Sequence, residues 1–237
     1  MFSAEIIKNI KDHAQAEYPK ESIGYVYMGK YFPCQNIHPT PNEAFRLTYA
    51  DYISIDKNKV SAVIHSHPDG LAEPTQEDME FQILSNKTHG ITVVKRDRNG
   101  VVIAEEPIWW GDDLPIAPYS GRVFIHGIQD CYTLIYDFYR KDLGIKLPTC
   151  ARTDYWWDKG QDLYLENYEK AGFRLISRKE ARRGDIFLAQ IQSPRVNHGG
   201  IYLGNGLGLH HLANRLSKED PLNGWQRYIT HWLRYTK

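Results

Sequence analysis

The stretch Val60-Ser61-Ala62-Val63-Ile64-His65-Ser66-His67-Pro68-Asp69-Gly70, followed by Thr75-Gln76-Glu77-Asp78, decides how the first half of this chain is read. The apolar run Val60 to Ile64 has the length and β-branched content of a buried strand. Residues two apart on a strand share a face, so His65 and His67 project the same way. Pro68, Asp69 and Gly70 end the strand. Pro74-Thr75 opens a helical pattern, with Met79, Ile83 and Leu84 at helix spacing and Asp78 in the first turn. Two imidazoles and one carboxylate then converge. This is a three-ligand set with a free fourth position, as catalytic zinc is held, and an open position on zinc activates water near neutral pH.

Each fragment also has an ordinary explanation. Two histidines at a strand end make a polar rim. Thr75 with Asp78 forms a capping box, with Asp in place of the usual Glu or Gln. The cap and ligand roles of these two residues are compatible.

In order and spacing the stretch resembles the JAMM (Mov34/MPN) metalloproteases: an upstream Glu, then His-(Ser/Thr)-His, seven residues, Ser, two residues, Asp. Here seven residues, Pro68 to Pro74, separate His67 from Thr75. The upstream Glu is Glu21, ahead of the strand-like Gly24-Tyr25-Val26-Tyr27. The resemblance implies Zn2+ held by His65, His67 and Asp78, Glu21 as general base, and Thr75 where the family uses Ser beside the tetrahedral intermediate. Without the family, Glu21 reads as an ordinary exposed carboxylate.

The chain has 237 residues and 29 basic against 29 acidic side chains. That length suits one large or two small domains. The zero net charge argues against a nucleic-acid protein driven by bulk charge. No apolar run approaches the ~20 residues of a membrane span, and no signal peptide is expected. Three widely spaced cysteines do not suggest a disulfide framework, so synthesis in the host cytoplasm is expected.

Around the first motif, helix is expected over Phe2 to Ala16, with Ile6, Ile7 and Ile10 on one face. A hairpin is expected across Gly29-Lys30, and a second across Asn99-Gly100, between Ile91–Lys95 and Val101–Glu105. From Trp109 to Tyr119 the periodicity fades into a stiff polar segment containing Pro115 and Pro118.

A second constellation follows. Asp130-Cys131-Tyr132 begins a helical pattern with Leu134, Ile135, Phe138 and Tyr139. A cysteine at a helix N-terminus is expected to have a lowered pKa. Far downstream, Val196 to Gly204 reads as a strand entering the turn Gly204-Asn205-Gly206, and a short strand then ends in Leu209-His210-His211. A Cys, a distant His and a third polar group are the parts of a thiol peptidase. Taken singly, the Cys is a small buried residue and the His a local hydrogen-bonder.

The surrounding residues resemble the NlpC/P60 cysteine peptidases: Asp130-Cys131-Tyr132-Thr133, Gly184-Asp185-Ile186-Phe187 and His198 to Gly204. The resemblance implies Cys131 as nucleophile, His198 as its base and His210 as the residue that orients the imidazole. Two departures stand out. Phe124 lacks the hydroxyl that the family's Tyr brings toward the oxyanion, and Tyr132 replaces a small Ser. Cys34 and Cys150 read as structural thiols.

The expectation is two domains of α/β and α+β type. A JAMM/MPN, cytidine-deaminase-like domain spans 1–110, a linker 111–118 and a papain-like NlpC/P60 domain 119–237. That order resembles a family of tail-tip assembly proteins of lambda-like phages. It implies a tail-tip or virion location, other tail-tip proteins as partners and peptidoglycan stem peptides as substrate, with no nucleic acid and no membrane span. Two other readings are an assembly factor with vestigial sites, and a cellular JAMM enzyme acting on ubiquitin-like modifiers.

Overall fold

A computed structural model describes residues 2–54 and 56–237. Residues up to Pro115, apart from Thr75–Met79, form one compact unit, and Ile116 onward the other. Thr75–Met79 open a helix that continues in the first unit and are described there.

The first unit begins with α1 (Ala4–Glu17). It starts at Ala4 rather than Phe2 because Ser3 caps it, its side chain accepting from the Ile6 amide. Ile6, Ile10 and Ala14, four residues apart, are its buried stripe. Strands β1 (Ile23–Tyr27) and β2 (Lys30–Cys34) form a hairpin. Its loop is Met28-Gly29, one residue earlier than expected, because both positions take positive φ (48° and 75°) as this tight turn requires. Helix α2 (Tyr49–Ser54) precedes β3 (Val60–Pro68), α3 (Gln76–Ser85) and β4 (Thr88–Arg96). β5 (Val102–Ala104) and β6 (Ile108–Trp110) complete the sheet.

The sheet order is β2-β1-β3-β4-β5, with β6 also on β4. β3 and β4 are parallel, joined through α3, and the other pairs are antiparallel. β3 runs to Pro68 and is buried along most of its length, so both histidines lie within it. β6 falls where the periodicity faded. Its Trp109 lies against Gly90, and a Cβ there would sit 2.6 Å from the indole ring. α3 does not bury its expected stripe. Asp78 and Met79 are inside and Phe81 packs on the core, whereas Ile83 and Leu84 are exposed, so the helix is anchored by its N-terminal half.

The second unit packs α4 (Cys131–Asp142) on a six-stranded antiparallel sheet. Its elements are α5 (Leu163–Asn167), β7 (Phe173–Ile176), β8 (Ile186–Ala189), β9 (His198–Gly204), β10 (Leu207–His210), β11 (Lys218–Pro221) and β12 (Ile229–Tyr235), in sheet order β11-β10-β9-β8-β12-β7. Leu134, Ile135, Phe138 and Tyr139 of α4 share a core with Leu188, Ile201 and Leu209 of the sheet. The turn Asn205-Gly206, both at positive φ, returns β9 into β10. The buried Asp185 ahead of β8 accepts two bonds from Arg234 of β12. Among the described residues no helix is long and apolar enough to cross a membrane.

Candidate catalytic sites

His65 and His67 emerge at the carboxyl end of β3, where a parallel βαβ unit leaves a crevice. Their Nε2 atoms are 3.0 Å apart. His67 Nδ1 lies 2.8 Å from the Leu71 carbonyl oxygen. A carbonyl only accepts, so the proton sits on Nδ1 and Nε2 presents a lone pair. Asp78 Oδ2 accepts from the Thr75 amide at 2.9 Å and from Thr75 Oγ1 at 2.8 Å, while the Asp78 amide donates to Oγ1 at 3.1 Å. This is the reciprocal cap the sequence suggested, and it holds the carboxylate still. The ring of Phe45 walls the cluster, 4.9 Å from that of His65.

One ligand-capable atom from each of His65, His67 and Asp78 lies within 4.8 Å of the others, and all three residues are buried. Tetrahedral zinc with bonds of ~2.0 Å places two ligand nitrogens roughly 3.3 Å apart. The observed pair of nitrogens fits that span.

Glu21 is buried rather than exposed. Ile23 pairs with His65, and the Ser66 amide donates to the Ser22 carbonyl. Glu21 lies two residues before β1, its amide donating to the Pro41 carbonyl and its carbonyl accepting from Asn36 Nδ2. Ser22 also donates its amide to Ser66 Oγ at 2.8 Å, which locks the two segments together.

In the second unit Asp130 caps α4, accepting from the Thr133 amide, while Thr133 Oγ1 takes the Asp130 amide. Cys131 is the first helical residue, and its Sγ lies 3.3 Å from the Tyr164 hydroxyl of α5. The Gly199 amide, next to His198, also faces the sulfur. His198 is buried, with Nε2 3.1 Å from His210 Nδ1, and His210 Nε2 is 3.2 Å from Asp220 Oδ2. Lys218 Nζ closes this chain at 2.9 Å from the same Asp220 oxygen. The indole of Trp225 packs edge-on against His210 at 4.5 Å.

Asp220 accepts, so His210 carries its proton on Nε2 and offers Nδ1 as acceptor. His198 Nε2–H then donates to it, which leaves His198 Nδ1 unprotonated and able to act as a base. Burial, then the neighbouring His210, push the His198 pKa down to about 3, so the ring is neutral at physiological pH. His211, beside His210, instead meets the Arg215 carbonyl and the ring of Phe124.

The thiol departs from expectation. Burial, followed by the adjacent Asp130 carboxylate, raises the Cys131 pKa, and the opposing effects of Tyr164, Arg152 and the Gly199 amide do not overcome them. Asp130 occupies the Gly127 and Thr133 amides and so weakens the N-terminal field that favours a thiolate. The resting pair is a thiol and a neutral imidazole. The other cysteines also differ from one another: Cys34 is buried with its thiol raised to about 12, again chiefly by burial, and Cys150 is exposed.

Asp220, Tyr164 and Arg152 were not singled out from sequence. The strand period could have found Asp220, which pairs with Gly208 one step from His210. Tyr164 and Arg152 come from segments with no motif of their own. Arg152 is buried against Asp130 and lies 5.6 Å above the ring of Tyr132. A groove of about 490 Å³ runs beside α5 and the approach to β9, lined by Trp157, Asp162, Leu165, Arg195, Val196 and His231.

Comparison with known proteins matches residues 118–234 to the NlpC/P60 family, a family of cysteine peptidases, and residues 3–104 to prokaryotic homologs of the JAB domain. A lipoprotein-like NLP/P60 family structure from Staphylococcus aureus aligns with half of this chain and 38% of its own at 24% identity and a TM-score of 0.37. Tail tip assembly protein K of Escherichia phage lambda is 34% identical over 76% of this chain and 80% of its own length. The protein of the same name from Escherichia phage N15 is 32% identical over 97% of this chain and 93% of its own. At 32% identity over 97% of this chain and 93% of that relative, the chain belongs to the tail tip assembly protein K family of lambda-like phages.

Proposed function

We propose that this is a two-site hydrolase of the phage tail tip. Residues 119–237 form a cysteine endopeptidase for peptidoglycan stem peptides, residues 1–110 a zinc-dependent JAMM-type peptidase or isopeptidase, and 111–118 the linker. The chain is made in the host cytoplasm and works with other tail-tip proteins, in assembly or in DNA entry through the cell wall.

The observation that carries the first activity is the chain Asp220–His210–His198, with the Gly199 amide next to His198 facing the Cys131 sulfur. Because the resting pair is neutral, His198 Nδ1 takes the thiol proton as Sγ attacks the scissile carbonyl, and later returns it to the leaving amine. The first turn of α4 supplies amides toward the developing oxyanion. The groove beside α5 is a natural seat for an extended peptide.

In the first domain, zinc on His65, His67 and Asp78 would supply Lewis-acid polarisation and a more acidic water. Glu21, buried just ahead of β1, accepts a proton from the attacking water and passes it to the leaving nitrogen. Thr75 keeps Asp78 oriented through its hydroxyl.

The test is digestion of purified peptidoglycan by wild type and Cys131→Ala, with products identified by mass. New amino termini within stem peptides, absent with Cys131→Ala, are expected. Intact stems with wild type would overturn the peptidoglycan reading. A second reading, an assembly factor with a quiet C-terminal site, draws on the raised Cys131 thiol beside the Tyr164 hydroxyl.

A further inference from the structure

We propose that the Tyr164 hydroxyl is the side-chain oxyanion donor of the Cys131 site, reaching in from α5. The inference rests on the cysteine-peptidase reading and assigns a residue to it.

A side-chain donor is needed because the segment before the nucleophile brings no hydroxyl. Phe124 presents a bare ring, packed edge-on against His211 at 5.2 Å. Tyr164 Oη is 3.3 Å from Cys131 Sγ. It is also 3.3 Å from where a Cβ on Gly199 would lie, so it overlooks the gap between the start of α4 and β9. Attack by Sγ creates the oxyanion one bond beyond the new C–S bond, within reach of a donor already in contact with the sulfur. Burial keeps this phenol protonated, so it donates throughout.

The ring is held for this task. Trp156 packs edge-on against it at 6.0 Å and Tyr132 at 6.3 Å. Tyr132 is itself tied by its hydroxyl to the Pro148 carbonyl. The two departures from the family are therefore linked: the bulky residue after Cys131 props up the tyrosine that makes up for Phe124.

The test needs no natural substrate. Two reagents are compared on full-length protein carrying Cys150→Ser, which removes the exposed competing thiol. With p-nitrophenyl acetate, Sγ bonds to the carbonyl carbon while the thiol proton passes to His198. The carbonyl π pair moves onto oxygen, then returns as the C–O bond breaks and p-nitrophenolate leaves. With iodoacetamide, Sγ displaces iodide at a saturated carbon and no oxyanion forms. Tyr164→Phe keeps the ring and its packing.

The ester rate should fall roughly 100-fold, the scale of losing one oxyanion donor. The iodoacetamide rate, followed over pH, should change only through a modest upward move of its profile. A ratio of ester to iodoacetamide rate that stays within about threefold of the parent would overturn the assignment, whether both rates fall together or neither does. If the parent's Cys131 is no more readily acylated than Cys34, the peptidase reading falls and takes this role with it. Selective acylation of the parent that Tyr164→Phe leaves unchanged removes only Tyr164.

Discussion

The two sites of this chain are built in opposite ways. The first lies in one strand–loop–helix stretch, His65 to Asp78, with the buried Glu21 ahead of β1 as its candidate base. The second is gathered from α4, α5, β9, β10 and β11. The chemistry proposed for them differs to match. The first gathers two imidazoles and a carboxylate at one spot, where the proposed reaction depends on a cation. The second would draw its nucleophile, base and orienting groups from its own side chains. A local site needs only a few backbone turns to form, whereas a dispersed site exists only when the whole sheet is folded. Changes to the first should therefore act through metal, and changes to the second through reactivity and fold.

The largest effects should be complete and separable. Purified protein should carry about one zinc per chain, and His65→Ala with His67→Ala together should abolish it, because one carboxylate cannot hold the ion. Cys131→Ala should keep the zinc and lose all stem-peptide cleavage. Elemental analysis beside the peptidoglycan digest reads both. Full zinc in the double variant would end the metal assignment, and zinc lost in Cys131→Ala would break the independence of the sites.

Next is Asp220→Asn. Asp220 acts on His198 only through His210, so it positions rather than reacts. Loss of the carboxylate that orients a catalytic histidine directly costs about 10⁴ in kcat. One residue further out, we expect roughly 10–100-fold in kcat with KM little changed. His210→Ala should cost more than Asp220→Asn, and the reverse order in steady-state kinetics would sink the relay.

The pH dependence separates the units by stability. His198 is buried and neutral, with a folded pKa of about 3 against 6.5 unfolded. The unfolded chain therefore binds more protons between those values, so this stability is present above pH 6.5 and is lost as pH falls toward 3. The loss attributable to His198 is on the order of 4 kcal/mol. His210 shifts the same way through burial. Residues 119–237, with their own core, should fold alone and lose near-UV circular dichroism in this window. His198→Gln should flatten the profile, and an unchanged acid midpoint would contradict the burial of a neutral ring.

The same contrast explains what could be read in advance. The ligands of the first site were legible because strand period, breaker residues and a helix cap fix three side chains over a short stretch. Cys131, His198 and His210 were marked out by the resemblance to NlpC/P60 peptidases, and the structure brings the two histidines together. Tyr164 and Arg152 reach the site only through packing, which leaves no local period, while Asp220 becomes readable only once β11 is known to pair with β10. The Cys131 titration was misjudged because a helix N-terminus was counted without the burial of the sulfur and the adjacent Asp130 carboxylate. β6 was missed because a strand of three residues is too short to display alternation. Ile83 and Leu84 suggested a buried face that α3 does not have, since periodicity shows which residues align and not whether anything covers them.

The smallest predicted effect tests whether Thr75 serves the fold or the chemistry. Its hydroxyl gives a bond to Asp78 Oδ2 and accepts one from the Asp78 amide. Thr75→Ala removes both, which costs about 1 kcal/mol as the loss of a helix cap. Thermal denaturation of the first domain should show a fall of roughly 4–5 °C. Because the same hydroxyl orients a metal-ligand candidate, zinc affinity should drop about 10–100-fold, as for other supporting hydrogen bonds. Thr75→Ser keeps the hydroxyl and loses only a methyl group, so melting temperature and zinc affinity should both stay near wild type. If Thr75→Ala lowers the melting temperature but leaves zinc affinity intact, the residue is a helix cap and no more. If Thr75→Ser weakens zinc as much as Thr75→Ala, the methyl group is what packs the site, and the hydroxyl loses its assigned role.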